Sequence, residues 1–266
     1  CRSQAMSNAF FATCPRGLEQ ALAVELGALG VAGVRVTGGG VHFTGAFPVA
    51  YRVNLHSRIA SRVLWQVAVA DYSSEQDIYD AVLGLPWHNW FGVENTIRVN
   101  VAAIKCPLKS LDFAALKIKD AVCDKFRRVA GSRPSVDTHT PDIRIHAFLE
   151  SHRMTVYLDT SGEALFKRGM RQQANIAPLR ENLAAGILHL SGWAPGVPLL
   201  DPMCGSGTFL IEAAMISLGI APGSQRKFGF EKLKNFDSGT WETMRQQALA
   251  AQLPVTELLI YGSDLY

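Results

Sequence analysis

The stretch that most limits how this chain can fold runs from Val197 to Ala214, V-P-L-L-D-P-M-C-G-S-G-T-F-L-I-E-A-A. It predicts a strand, a tight loop and a helix. Leu199 and Leu200 are expected to end a short buried strand, which Pro202 stops because proline cannot donate to a ladder. Gly205 and Gly207 let the backbone turn sharply and approach a ligand closely. Thr208 to Ala214 is helix-forming, so the loop N–H groups and a helix N-terminus face one space, suited to an anionic or hydrogen-bond-accepting ligand. Asp201 stands at the strand tip, at the mouth where open α/β sheets bind ligands. The pattern departs from a dinucleotide fingerprint: Leu210 takes the place of the third glycine, and no acidic residue ends a recognisable second strand about 20 residues on. A P-loop is excluded, since no Lys-Ser or Lys-Thr follows the glycines. A third reading is a nucleotide-like cofactor held by an acidic strand end and a glycine turn, and the plain alternative is an ordinary strand-to-helix turn with no ligand.

The chain's 266 residues, 48% of them apolar, allow one large or two to three small domains. No apolar run approaches the roughly 18 residues of a membrane span, and the first residues lack the pattern of a secretory signal. The five cysteines (Cys1, Cys14, Cys106, Cys123, Cys204) form no C-x-x-C pair, which argues against zinc and for reduced thiols in the cytoplasm. The net charge of +3 is uneven: residues 98 to 171 hold fourteen Lys/Arg against eight Asp/Glu, a net of +6, and the remainder holds twelve against fifteen, a net of −3. A basic middle beside a slightly acidic remainder suggests a polyanion-binding module, although a solvated charged face gives the same count.

Taken in order, Asn8 to Thr13 reads as a strand and Pro15 to Leu29 as an amphipathic helix with Leu18, Leu22, Leu26 and Leu29 inward. Val31 to Val36 and Val41 to Thr44 are strands around Gly38-Gly39-Gly40. Ala46 to Ser57 is a helix and Arg62 to Ala70 a strand. This β-α-β-β-α-β order is the ferredoxin-like pattern, placed at residues 7–70. A second unit, 71–162, has a helix capped by Ser74, an aromatic cluster of Trp87, Trp90 and Phe91, and a strand from Thr96 to Ile104. A long helix from Ser110 to about Val129 follows, with Phe113, Leu116, Ala121, Val122 and Phe126 as its expected buried stripe. Strands Ile143 to Glu150 and Met154 to Thr160 form a hairpin. Residues 163–190 read as a linker and a leading helix, in which Pro178 is placed at the first helical position and Glu181 in the first turn. Residues 191–266 open an α/β domain. Within it, residues 219–254 are an insertion, and Leu258 to Tyr261 is the next strand, ending at Gly262-Ser263-Asp264.

Asp201-Pro202-Met203-Cys204-Gly205-Ser206-Gly207-Thr208 resembles motif I of S-adenosylmethionine-dependent methyltransferases, in the form typical of enzymes that methylate exocyclic amino groups of nucleobases. The segments F-A-A-L-K-I-K-D-A (113–121), R-P-S-V-D (133–137) and Y-L-D-T-S-G (157–162) make the second unit similar to a THUMP RNA-binding domain. Lys167-Arg168-Gly169-Met170-Arg171, then Ala177-Pro178-Leu179-Arg180-Glu181-Asn182-Leu183-Ala184-Ala185, then the motif-I loop form an ordered set. On that set the chain is similar, from about Asn8 onward, to the bacterial large-subunit (23S) ribosomal RNA guanine-N2 methyltransferase family. Met170 departs from the tyrosine common there.

The resemblance implies an α/β and α+β architecture: a ferredoxin-like N-terminal module, a THUMP RNA-binding domain, and the start of a Rossmann-like methyltransferase domain. It implies S-adenosylmethionine as cofactor, held by Pro178, Glu181, Asp201, Pro202, Cys204, Gly205, Ser206, Gly207 and Thr208, with Asp264 accepting from the ribose hydroxyls. The implied partner is 23S ribosomal RNA or a pre-ribosomal particle, with no metal and no membrane. A tRNA guanine, a nucleic-acid adenine N6, or RNA binding without catalysis are the alternatives. On charge, Lys105, Lys109, Lys119, Arg127, Arg128 and Arg133 are expected to meet phosphates. Lys167, Arg168 and Arg171 stand at a domain junction with few local acids, and are placed on the RNA path rather than in a bridge to distant acids. No Asn-Pro-Pro or Asp-Pro-Pro occurs, so the catalytic residues are expected beyond Tyr266, among on the order of a hundred further residues.

Overall fold

The computed structural model describes residues 7–168, 179–255 and 257–265. They form two compact units with interleaved chain segments. The first is built from Cys1–Val63, Glu163–Lys227 and Asp237–Tyr266, the second from Leu64–Gly162 and Phe228–Phe236.

The first unit opens with β1 (Asn8–Thr13), α1 (Glu19–Ala28), β2 (Ala32–Thr37), β3 (Gly40–Gly45) and α2 (Pro48–His56). Strand β3 lies between β2 and β1 and is antiparallel to both. Phe10 and Phe43, directly opposite in that register, stack at 5.2 Å between ring centroids. Leu18, Leu22 and Leu26 recur every fourth residue and are fully buried under α1, which Gly30 ends at φ +71°. With β4 (Arg62–Asp71) the order β-α-β-β-α-β is complete, as a ferredoxin-like module requires.

Later segments of the same unit are α5 (Glu181–Leu190), β8 (Leu199–Asp201), α6 (Thr208–Ser217), α7 (Ser238–Ala250) and β9 (Ile260–Gly262). Helix α5 begins at Glu181 with Arg180 as its extended N-cap. Pro178 itself lies outside the described residues. Asp237 caps α7 by accepting from Thr240 N–H, and the Asp237 N–H donates to the Tyr51 hydroxyl of α2. The strand ending at Asp201 is not the buried strand expected. Leu200 is 67% exposed and its cross-strand partner Tyr261 51% exposed, because strand alternation turns both away from α6.

The second unit holds β4, α3 (Glu75–Gly84), β5 (Ile97–Ala103), α4 (Leu111–Ala130), β6 (Ile143–Leu149) and β7 (Arg153–Asp159). Its strands run in the order β4-β7-β6-β5, with only β5 and β6 parallel. Ser74 and Asp77 form a capping box at α3, and Ser110 Oγ accepts from Phe113 N–H at the start of α4. The buried stripe of α4 is Ala114, Ile118, Ala121, Val122 and Phe126. Phe113 and Leu116 fall outside it and are exposed, and the Phe113 ring instead lies under the Lys117 ammonium at 5.5 Å. Trp87 is fully buried against Trp90 and Phe91 and donates its indole N–H to Val82 O at 2.7 Å. The segment Phe228–Phe236 completes this unit. Phe230 N–H donates to Thr160 O, and Gly229 lies so close to Asp159 O and Gly162 N that a Cβ there would sit 2.8 and 2.9 Å from them.

Candidate functional site

The site is built where β8 and β9 end side by side. The two strands are parallel, in the register Leu199↔Ile260, Leu200↔Tyr261, Asp201↔Gly262. Ser263 N–H donates to Asp201 O and Cys204 N–H to Ser263 O, so the loop after β8 is stitched to the end of β9. Asp201 folds its carboxylate back on its own turn and accepts from Met203 N–H at 3.1 Å. Gly205 and Gly207 both adopt positive φ, +52° and +76°, which admits glycine without strain. Gly207 is the N-cap of α6, and Thr208, its first residue, is buried.

Asp264 closes the arrangement. Its Oδ2 accepts from Gly205 N–H at 2.6 Å and its Oδ1 from Leu265 N–H at 2.7 Å. The structure thus brings Asp201, Pro202, Cys204, Gly205, Ser206, Gly207, Thr208 and Asp264 to one mouth at the start of α6, where the helix dipole favours negative charge. Glu181 stands in the first turn of α5, which packs on α6. A residue not singled out from the sequence is Gly262. A Cβ there would meet Leu210 Cδ1 at 2.3 Å and Cys204 Sγ at 3.2 Å, so its bareness lets the loop and α6 seat against β9.

The largest difference from expectation is Arg168. It is 5% exposed, and its guanidinium donates to both carboxylate oxygens of Glu212 (3.1 and 3.3 Å), to Leu165 O and to Arg58 O. A guanidinium so engaged has no face left for a phosphate, which removes it from the RNA path and makes it the partner of a distant acid. Lys167 is exposed and pairs with Glu163 at 2.6 Å; Arg171 lies outside the described residues.

Arg168 belongs to a polar hub around the Ser57–Ser61 turn. Glu25 of α1 accepts from Ser57 Oγ, Arg58 N–H and Ile59 N–H. Asn182 of α5 donates to Ile59 O and Ser61 Oγ, and Leu165 N–H to Ser61 O. Glu212 of α6, wholly buried, faces Arg58 at 3.7 Å as well as Arg168. Isolated buried carboxylates cost several kcal/mol, so this one depends on its two guanidinium partners. The sequence carried a signal here, since Glu212 is the one charged residue of α6.

Burial pushes the Glu25 carboxyl above its ordinary value of 4.5, against the pull of its three donors and Arg58. As pH falls, the folded chain therefore takes up this proton before the unfolded chain does, so the group's contribution to stability declines as pH rises from about 4.5 through the raised value. Glu25→Gln should flatten that part of the stability profile, read from urea midpoints between pH 4 and 7.

In the second unit Lys105 and Lys109 are exposed in the loop before α4, Lys105 at φ +51°. Arg127, Arg128 and Arg133 are exposed at the end of α4 and beyond it, and Arg127 also pairs with Asp124 at 2.7 Å. Lys119 is half-buried and pairs with Asp120. Burial pushes the Cys123 thiol up, against the smaller lowering pull of Arg133, Lys119 and Arg127. No group of three or more His, Cys, Asp or Glu among the described residues could hold a metal ion, and no helix among them is long and apolar enough to cross a membrane.

Comparison with known proteins matches three consecutive segments of the chain. A family model described as RlmL ferredoxin-like domain matches residues 9–64, THUMP domain matches 72–159, and RMKL-like, methyltransferase domain matches 168–266. Ribosomal RNA large subunit methyltransferase K/L of Cellvibrio japonicus is 42% identical over 248 residues, covering 91% of this chain and 33% of its own length. The protein of the same description from Aeromonas hydrophila is 44% identical over 259 residues, covering 96% and 36%. The chain thus spans about a third of the length of these curated relatives. The solved structure of SMU.472, a putative methyltransferase complexed with SAH, is 32% identical with a TM-score of 0.87, covering 98% of this chain and 69% of that one. With its ferredoxin-like, THUMP and methyltransferase segments in that order, the chain belongs to the RlmKL-like family of methyltransferases.

Proposed function

We propose that this chain carries the RNA-gripping part and the cofactor half-site of an S-adenosylmethionine-dependent methyltransferase that modifies guanine N2 in 23S ribosomal RNA. The observation that carries the reading is the Asp264–Gly205 contact at the mouth of a parallel strand pair, in a chain whose curated relatives are described as large-subunit ribosomal RNA methyltransferases. The residues present fit the cofactor. A left-handed glycine turn and a helix start suit its carboxylate-bearing end, and the Asp264 carboxylate, just past the end of β9, is of the kind that would accept from ribose hydroxyls. When bound, the cofactor supplies an electrophilic sulfonium methyl. Pro178, Glu181, Asp201, Pro202, Cys204, Ser206 and Thr208 complete the proposed cofactor set. Guanine N2 is a poor nucleophile because its lone pair is delocalised into the ring, so catalysis rests on positioning the base and its amino group. RNA and a cytoplasmic setting are parts of the same proposal.

The substrate is tested by incubating the full-length protein with cofactor and, separately, undermodified 23S RNA, tRNA and DNA, then identifying methylated nucleosides by mass spectrometry. N2-methylguanosine in 23S RNA is expected. N6-methyladenosine, or methylation of tRNA alone, would move the assignment to that substrate.

The second unit supplies the phosphate-binding face, with Lys105, Lys109, Lys119, Arg127, Arg128 and Arg133. Replacing Lys105, Lys109, Arg128 and Arg133 by alanine should weaken RNA binding and lower the slope of log affinity against log salt by about 0.7 to 0.9 per lost phosphate contact. A slope equal to that of the unaltered protein would make these residues an ordinary solvated face.

A further inference from the structure

The helix that starts at the glycine loop is held from behind by charge. Glu212 is the one charged residue of the mostly apolar helix α6, and it lies one turn beyond Thr208, on the same face. Its carboxylate is 0% exposed and sits between two guanidinium groups that reach it from different parts of the chain. Arg58 follows α2 and also donates to Ile220 O beyond the far end of α6. Arg168 spans Glu212, Leu165 O and Arg58 O, so it ties α6 to the same turn that holds α1 and α5. Buried ion pairs of this kind contribute little net stability compared with well-packed apolar groups, and their best-attested use is to fix one arrangement among several. An apolar helix resting on apolar neighbours can slide or rotate at small cost. A carboxylate hydrogen-bonded by one guanidinium and facing a second at 3.7 Å cannot, because any shift leaves charge unpaired in the interior.

We propose that Arg58, Arg168 and Glu212 are positioning residues for the cofactor: they fix the axial position and rotation of α6, and through it the Cys204–Thr208 loop. This rests on the reading of that loop as the cofactor site. None of the three touches the ligand; they act through the first turns of the helix.

The test separates positioning from stability. In the full-length protein, Arg58→Met, Arg168→Met and Glu212→Leu are combined, so that Glu212 and its two guanidinium partners are removed together. The expected result is a folded protein whose melting temperature is at or near that of the unaltered protein. Its dissociation constant for S-adenosylhomocysteine, by calorimetry, should rise at least tenfold, and its KM for RNA should stay unchanged. A folded variant that binds S-adenosylhomocysteine within twofold of the unaltered protein overturns the proposal. If the triple variant fails to fold, Arg168→Lys, which keeps the charge but loses the planar fork, is followed by amide hydrogen exchange. Faster exchange confined to residues 205–211 supports the clamp, and unchanged exchange there overturns it. Should the unaltered protein itself not bind S-adenosylhomocysteine, the cofactor reading of the loop fails, and the exchange measurement still decides the clamp.

Discussion

Replacing Asp264 by alanine should weaken binding of S-adenosylhomocysteine to the full-length protein by about a hundredfold. The carboxylate has two tasks in the proposed site. It accepts from Gly205 N–H at 2.6 Å and so pins the glycine loop to the end of β9. In the proposed site it would also accept from the two ribose hydroxyls of the cofactor. Hydrogen bonds to a charged acceptor contribute about 1.5–3 kcal/mol each, and losing them together gives a penalty of roughly 3 kcal/mol, or a factor of about 100. Asp264→Asn should fall between, because the amide keeps one acceptor oxygen but loses the charge. Calorimetry on the two variants checks this. Equal affinities for alanine, asparagine and aspartate would remove Asp264 from the cofactor set.

The largest stability effect is expected in the second unit. Trp87→Ala should destabilise that unit by about 4 kcal/mol, since truncating a buried aromatic side chain typically costs about 3–5 kcal/mol. The indole is fully buried, meets Trp90 and Phe91 at 5.2 and 6.2 Å between centroids, and satisfies Val82 O at the end of α3. Its removal leaves a cavity and takes one of two donors from Val82 O, which keeps the Leu85 N–H. For a unit of this size the unfolding transition should fall by roughly 20 °C. Trp87→Phe should recover part of the packing but not the hydrogen bond. Differential scanning calorimetry reads both, and a drop of only a few degrees for Trp87→Ala would mean that the aromatic cluster repacks around the gap.

Much of the fold was legible because its signals are local. Ser74 and Ser110 stand directly before their helices and accept from the N–H three residues on, and the leucines at 18, 22 and 26 repeat at helical spacing. The strand–loop–helix at 199–217 follows from two glycines and a proline. What failed to show was decided by distance along the chain. Phe113 and Leu116 look like core by side-chain type, but α4 turns the smaller Ala114 and Ile118 inward, a choice set by what packs against it. Arg168 looked like an RNA contact because the acids near it in sequence were too few to pair with Lys167, Arg168 and Arg171 together. Its partner, Glu212, is 44 residues away, and Asn182 finds Ile59 across 123. Gly262 read only as part of a turn, since the side chains that need its bareness, Cys204 and Leu210, come from the other strand's loop and helix.

The interleaving of the two units bears on the order in which the protein can mature during synthesis. The THUMP match ends at residue 159, yet the second unit is completed by Phe228–Phe236, whose Phe230 bonds back to Thr160 and stacks on Phe228 at 5.2 Å. A nascent chain released up to Gly162 therefore still lacks part of that unit's packing, and must wait while Glu163–Lys227, which belongs to the other unit, is translated first. The RNA-binding unit and the start of the methyltransferase domain thus reach their final packing close together in time. Excising the THUMP match alone would leave the Gly162 turn and the surface under Phe228 and Phe230 uncovered, so a soluble RNA-binding fragment has to carry residues 228–236 with it.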